Sequence, residues 1–275
     1  MKGNKQMKTI TNIIYPLLAL FAFACFTLAP QARAVCQDAC LTNSNTVQGD
    51  DALISLTTGA DNTAIGQGAL NANTTGDFNT AIGSNALLAN TIGTSNTASG
   101  VNALGSNTTG SYNTATGLSA LISNTTGTQN TASGTEALFS NTTGDNNTAN
   151  GLQALWSNTT GSNNTASGLA ALFSNIDGGD NTANGFQALY SNTSGGGNNA
   201  FGFQALFSNI SGIRNLAVGS GALGSLTSGD SNVAVGNIAL FKALQLTSIL
   251  LSADEHCSVP KEIRMSDSAF LLGGI

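Results

Sequence analysis

Charge is what this chain has least of. Only 8% of its 275 residues are Asp, Glu, Lys or Arg, against about 25% in an ordinary soluble domain, and this argues against an average globular enzyme. Basic residues are the scarcer kind. From residue 35 on, 14 acidic side chains face 4 basic ones (Arg214, Lys242, Lys261, Arg264), a net of −10, which excludes a nucleic-acid ligand. Histidine occurs once and proline three times. No long apolar run follows the N-terminal one, so no membrane span is expected in the body of the chain. The Gly- and Asn-rich composition would suggest disorder, but disorder also calls for high net charge and few aromatics, and here aromatics recur at fixed places.

The single long apolar run is an address. Lys2, Lys5 and Lys8 precede an apolar stretch from Ile13 to Leu28, and Ala32-Arg33-Ala34 supplies small residues at a cleavage site. Residues 1–34 read as a secretory signal peptide, with an uncleaved anchor as the rival reading. Cys25 sits in a poor lipidation box because Phe23 is bulky. The exported chain would begin near Val35 and carry no transmembrane anchor. It would hold Cys36, Cys40 and Cys257 in a compartment that permits disulfides. A local Cys36–Cys40 clip and three free thiols both remain open.

What the body does have is a period. Asn-Thr-Ala-x-Gly begins at Asn45, Asn62, Asn79, Asn96, Asn113, Asn130, Asn147, Asn164, Asn181, Asn198, Asn215 and Asn232, with every step 17 residues. The unit is Asn-Thr-Ala-x-Gly-x-x-Ala-Leu-x-Ser-Asn-Thr-Thr-Gly-x-x. A period this strict is the mark of one supersecondary unit stacked on itself. The chain thus divides into an N-terminal cap at 35–44, the repeat at 45–248 and a C-terminal tail at 249–275.

Each constant position has a physical reading. Glycines at the fifth and fifteenth positions predict two bends that need positive φ or close backbone approach. Alanine at the third position and the Ala-Leu pair at the eighth and ninth are the only constant apolar places, so they form a thin interior. Asparagine opens every copy and recurs at the twelfth position from Asn73 to Asn209, which predicts amide ladders along the stacking axis. Seventeen residues suffice for two short strands and two bends. The first strand is Asn-Thr-Ala-x-Gly. The second segment suits a strand or a short helical turn, and a strand is preferred. The fold class is all-β: a parallel β-solenoid of about twelve coils, with one helical turn per coil as the alternative.

The tenth position carries a stripe of large apolar side chains that is aromatic in the later coils: Phe139, Trp156, Phe173, Tyr190, Phe207 and Phe241. These are the candidate contact surface, for a partner or for sister subunits. Packing inside each coil is the competing reading. An interior of Ala, Ala and Leu buries little area against the cost of ordering the backbone, and this favours self-association.

Candidate catalytic groups are few. Asp77, Asp145 and Asp230 share one position but lie several coils apart, roughly 20 Å at sheet spacing, too far for paired carboxylates. Asp177 and Asp180 are the one close pair and read as turn acids. His256 beside Cys257 lacks further ligands for zinc, and no Gly-Lys-Ser/Thr follows any glycine. No enzyme, metal or cofactor is expected.

The units Asn62-Thr-Ala-Ile-Gly-Gln-Gly-Ala-Leu70, Asn79-Thr-Ala-Ile-Gly-Ser-Asn-Ala-Leu87 and Asn232-Val-Ala-Val-Gly-Asn-Ile-Ala-Leu240 resemble the head repeats of trimeric autotransporter adhesins, the YadA-like head, and similar tracts occur in phage tail fibres. The resemblance covers residues 45–248. It implies a left-handed β-roll, a homotrimer, a place on the bacterial cell surface or outside it, and binding to host, matrix or other surfaces. The repeat is longer than is usual there. No heptads or alternating strands follow Ser248, so the resemblance implies a member without stalk and β-barrel anchor, or a tail-fibre-like fragment. A different alternative is an ice- or crystal-binding solenoid using the ranked Thr74, Thr91, Thr108, Thr125, Thr142 and Thr159. Against it, Thr74 and Thr75 are adjacent and would point to opposite sides of a strand, so this tract offers no two-column Thr-x-Thr face.

Overall fold

A computed structural model of the chain describes residues 39–41, 43–245, 247–252 and 269–270. Residues 1–34, expected to be a signal peptide, and Cys36, His256 and Cys257 lie outside the described residues.

The chain is an all-β parallel solenoid. A short strand β1 (Ala39–Leu41) pairs antiparallel with β2 (Asn45–Gln48). From β2 onward every coil adds one three-residue strand: β3 (Thr63–Ile65), β4 (Thr80–Ile82), β5 (Thr97–Ser99), β6 (Thr114–Thr116), β7 (Thr131–Ser133), β8 (Thr148–Asn150), β9 (Thr165–Ser167), β10 (Thr182–Asn184), β11 (Asn199–Phe201), β12 (Leu216–Val218) and β13 (Val233–Val235). Each pairs in parallel with the strand 17 residues on, as in Ala132↔Ala149 and Ala149↔Ala166. The ladder continues past residue 248 through β14 (Ile249–Ser252), again 17 residues on, and then β15 (Ala269–Phe270). All of these lie in one sheet in chain order.

The strands are short because the middle residue alone faces in. The alanines of β3 to β13 are fully buried, as are the Ala-Leu pairs of the inner coils. Side chains alternate across a strand, so the flanking residues, such as Thr148 and Asn150, face out. The expected thin interior of Ala, Ala and Leu is therefore present.

The second segment is neither the strand preferred from the sequence nor a helical turn. In the coil Asn147 to Asn163 it is a run of turns, with Gln153 at φ 57° and Leu155 at φ 53°. The leucine at this position is left-handed in all twelve coils, a conformation that costs a non-glycine residue about 1–2 kcal/mol. Burying its side chain returns about 1.5–3 kcal/mol. These turns still pair coil to coil: Gln153 N–H donates to the Thr135 carbonyl at 3.0 Å, Leu155 to Ala171 at 2.9 Å, Ser157 to Phe173 at 3.0 Å and Thr159 to Ile176 at 2.9 Å. Backbone bonds thus join coil to coil even where the dihedrals leave the β region, alternating there with turn bonds inside the coil such as Ala154 N–H to the Gly151 carbonyl at 3.3 Å and Asn158 N–H to the Leu155 carbonyl at 3.2 Å.

Glycine is required at both fixed positions, for different reasons. Gly151 has φ +137°, and a Cβ there would lie 2.6 Å from the Gly168 carbonyl oxygen. Gly161 has no positive φ, but a Cβ would lie 2.4 Å from Asn158 Oδ1 and 2.5 Å from the Gly178 oxygen.

Two amide ladders meet on that second glycine. Asn158 Nδ2 donates to Asn141 Oδ1 at 2.8 Å and to the Gly161 carbonyl at 2.9 Å. From the other side Asn147 Nδ2 reaches the same carbonyl at 2.8 Å and Asn130 Oδ1 at 3.1 Å, while its backbone N–H donates to Asn130 Oδ1 at 3.0 Å. Both asparagines are fully buried. Two of the five constant buried residues in each inner coil are therefore polar and hydrogen-bonded, as burial of amides demands.

Candidate binding surfaces

The aromatic stripe stands on the outside of the coil. Each ring follows a left-handed leucine that turns inward, so the next side chain emerges at the corner. Phe139, Trp156, Phe173, Tyr190 and Phe207 form one continuous stack, with centroids 5.4, 5.3, 5.1 and 5.2 Å apart and planes within 10°. All five are half-buried. These side chains thus pack on one another from coil to coil, outside the fully buried Ala, Leu and Asn interior. Stacking sets the faces of the rings against each other, and the Trp156 Nε1 is buried without a hydrogen-bond partner, so the stripe presents an apolar wall and no open aromatic platform. Phe241 stands apart from the stack: Gly224 intervenes, and its missing Cβ would lie 2.7 Å from the Phe241 ring, which is 42% exposed.

A second apolar column was not singled out from the sequence. At the sixth position Val101, Leu118, Leu152, Leu169, Phe186 and Phe203 are each 40–52% exposed, and Phe186 stacks on Phe203 at 5.2 Å. The signal was there, as apolar residues recurring just after the first glycine, but it was absorbed into an expected helical or strand face.

The two sets of ranked threonines differ. At the thirteenth position the hydroxyls are spent on the backbone: Thr142 Oγ1 donates to the Thr159 carbonyl at 3.0 Å, and Thr74, Thr91, Thr108, Thr125 and Thr159 make the equivalent bond at 2.9–3.1 Å. On the sheet, Thr148 and its equivalents point outward, and among the described residues their hydroxyls have no protein partner.

The acidic residues serve the backbone. Asp77, Asp145 and Asp230 each accept the N–H of the residue 17 before, from Ala60 at 2.7 Å, Thr128 at 2.6 Å and Ile213 at 2.9 Å. Ser111 and Ser162 hydroxyls do the same for Thr94 and Asp145. Asp180 accepts from Asn163 at 3.1 Å, and Asp177 is exposed. Among the described residues no three His, Cys, Asp or Glu side chains gather as a metal site would require.

A scan against protein-family models finds no match for this chain, and a search of the curated proteins finds none either.

Proposed function

We propose that the protein is a secreted or cell-surface structural and adhesive repeat protein, similar in use to an adhesin head, that associates as a homotrimer and holds surfaces by many weak contacts. The observation that carries this reading is the regularity of the outer walls. Each outward position recurs at one register in twelve coils on one continuous sheet. A ligand group bound weakly at one coil finds the same environment at the next, and linked weak contacts add as avidity. The two exposed apolar columns support self-association, because contiguous exposed apolar surface is uncommon on a monomer. The ring stack from Phe139 to Phe207, with Phe241 beyond it, is the contact surface in this proposal.

Sedimentation of the exported chain tests the assembly: a trimer is expected, and a monomer at micromolar concentration removes that part. The adhesive part is tested by retention on surfaces coated with a matrix protein at graded density. Retention should rise more steeply than coating density, and failure to be retained at any density removes it.

A further inference from the structure

We propose that the outer face of β5 to β10 is a binding face for crystalline water. Thr opens each of these six strands, and Ser, Thr or Asn closes each one. The alanine between them is fully buried in every case, so both flanking side chains lie on one outward face. Their partners are in strict register, Thr131↔Thr148 and Ser133↔Asn150. This makes two parallel columns with an axial repeat of about 4.8 Å, separated by about 6.6 Å.

Three properties decide what such a face holds. It carries no charge over six strands, so an ionic mineral lattice and a charged polymer find no complement on it. It carries no aromatic ring until Phe201 in β11, so a sugar polymer has no platform on which to stack. It is too polar to bury against a second copy of itself, unlike the apolar columns at the sixth and tenth positions. What remains is an uncharged lattice of hydrogen-bonding oxygens.

The face suits a solid better than a dissolved ligand. A single exposed hydroxyl gains little by exchanging liquid water for another partner, since net hydrogen-bond energies are near 1 kcal/mol. Twelve groups held at fixed spacing gain together from a lattice that repeats with them. The array is rigid at two levels. The β-branched Thr side chains are stiff at χ1, and the buried amide ladders fix the register of the strands beneath them. Each Thr also presents a methyl beside its hydroxyl. The hydroxyls are available because the protein makes no use of them, whereas those of the Thr142 column are consumed by the neighbouring coil. This inference does not depend on the adhesive reading.

The test is freezing behaviour of the full exported chain. A gap between melting and freezing of a single ice crystal, growing with protein concentration and accompanied by faceting of the crystal, is expected. The double variant Thr131→Lys/Thr148→Lys, which puts two long cations in the middle of the face, should lose that gap. Thr143→Lys/Thr160→Lys places the same residues in the same coils on the exposed turn and should keep it. Circular dichroism establishes that each variant is folded. If the face variant is not, Thr131→Ala/Thr148→Ala takes its place and should shrink the gap several-fold. A folded wild-type chain that freezes at its melting point overturns the proposal, as does an equal gap in face and turn variants.

Discussion

Thr142 and Thr148 lie six residues apart in adjacent copies of the repeat and are chemically identical, yet one is a structural tie and the other is free surface. The difference comes from the two walls on which they sit. On the turn-built wall the backbone leaves the β region, and side chains as well as main chain are recruited to join one coil to the next. On the sheet wall three residues of regular pairing satisfy the main chain completely, so the side chains have nothing to do for the fold. A position that is constant for structural reasons and one that is constant on the surface are therefore indistinguishable by frequency. They are separated only by what their side chains touch.

The largest expected effect breaks the turn-built wall at a close approach of two coils. Gly151→Ala puts a methyl 2.6 Å from a carbonyl oxygen in a backbone conformation at φ +137°, and should cost about 3 kcal/mol or more. Gly105→Ala makes the same chemical change at the outer corner, where the nearest atom is 3.2 Å away and no positive φ is imposed. It should shift stability by less than about 0.5 kcal/mol. Thermal melts by circular dichroism measure both, and equal losses would mean that the close approach of the coils does not control stability.

Next comes the interior ladder. Asn158→Ala leaves the Asn141 Oδ1 without its donor and one of the two Asn175 Nδ2 hydrogens without its acceptor, the other keeping its bond to the Gly178 carbonyl, and two such buried unsatisfied positions cost about 2–4 kcal/mol together. The natural end of this ladder offers the converse. Asn209 Oδ1 is buried without a partner because the next coil has Leu226 at this position. Leu226→Asn gives that oxygen a donor in place of the lost apolar burial, so it should cost less than about 1 kcal/mol, while Leu223→Asn, which gains no such partner, should cost over about 3 kcal/mol. Similar losses at 223 and 226 would show that the amide column contributes no specific stabilisation.

These contrasts mark how far the sequence could be read. The period, the two glycine positions, the Ala-Ala-Leu interior and the amide ladders were legible because each is a contact of a coil with its own copy, and self-contact writes itself as identity at one spacing. The turns were not. Leucine is a poor predictor of left-handed φ, so the conformation of Leu155 was invisible, and with it the side on which Trp156 would emerge. Asn and Asp at the seventh and seventeenth positions, such as Asn85 and Asp180, are tolerant of that conformation and were the available hint. The free hydroxyl face was missed because threonine was sought where it is doubled, at Thr74-Thr75, and not where it alternates with a buried alanine, as in Thr114-Ala115-Thr116.

The smallest effects sharpen the comparison of the walls most directly. Thr142→Val keeps the shape of the side chain and removes the hydroxyl that donates to the Thr159 carbonyl at 3.0 Å, so it should cost about 1 kcal/mol. Thr148→Val makes the same change where the hydroxyl faces solvent beside a strand alanine. Valine is at least as suited to a strand as threonine, so stability should stay within about 0.5 kcal/mol of the wild type. Because both variants delete one oxygen and add one methyl, differences in unfolded-chain hydration cancel between them, and the gap measured by melting is the worth of the inter-coil bond. A gap near zero would mean that the thirteenth-position hydroxyls are as free as those on the sheet, and the distinction between the two walls would fall with it.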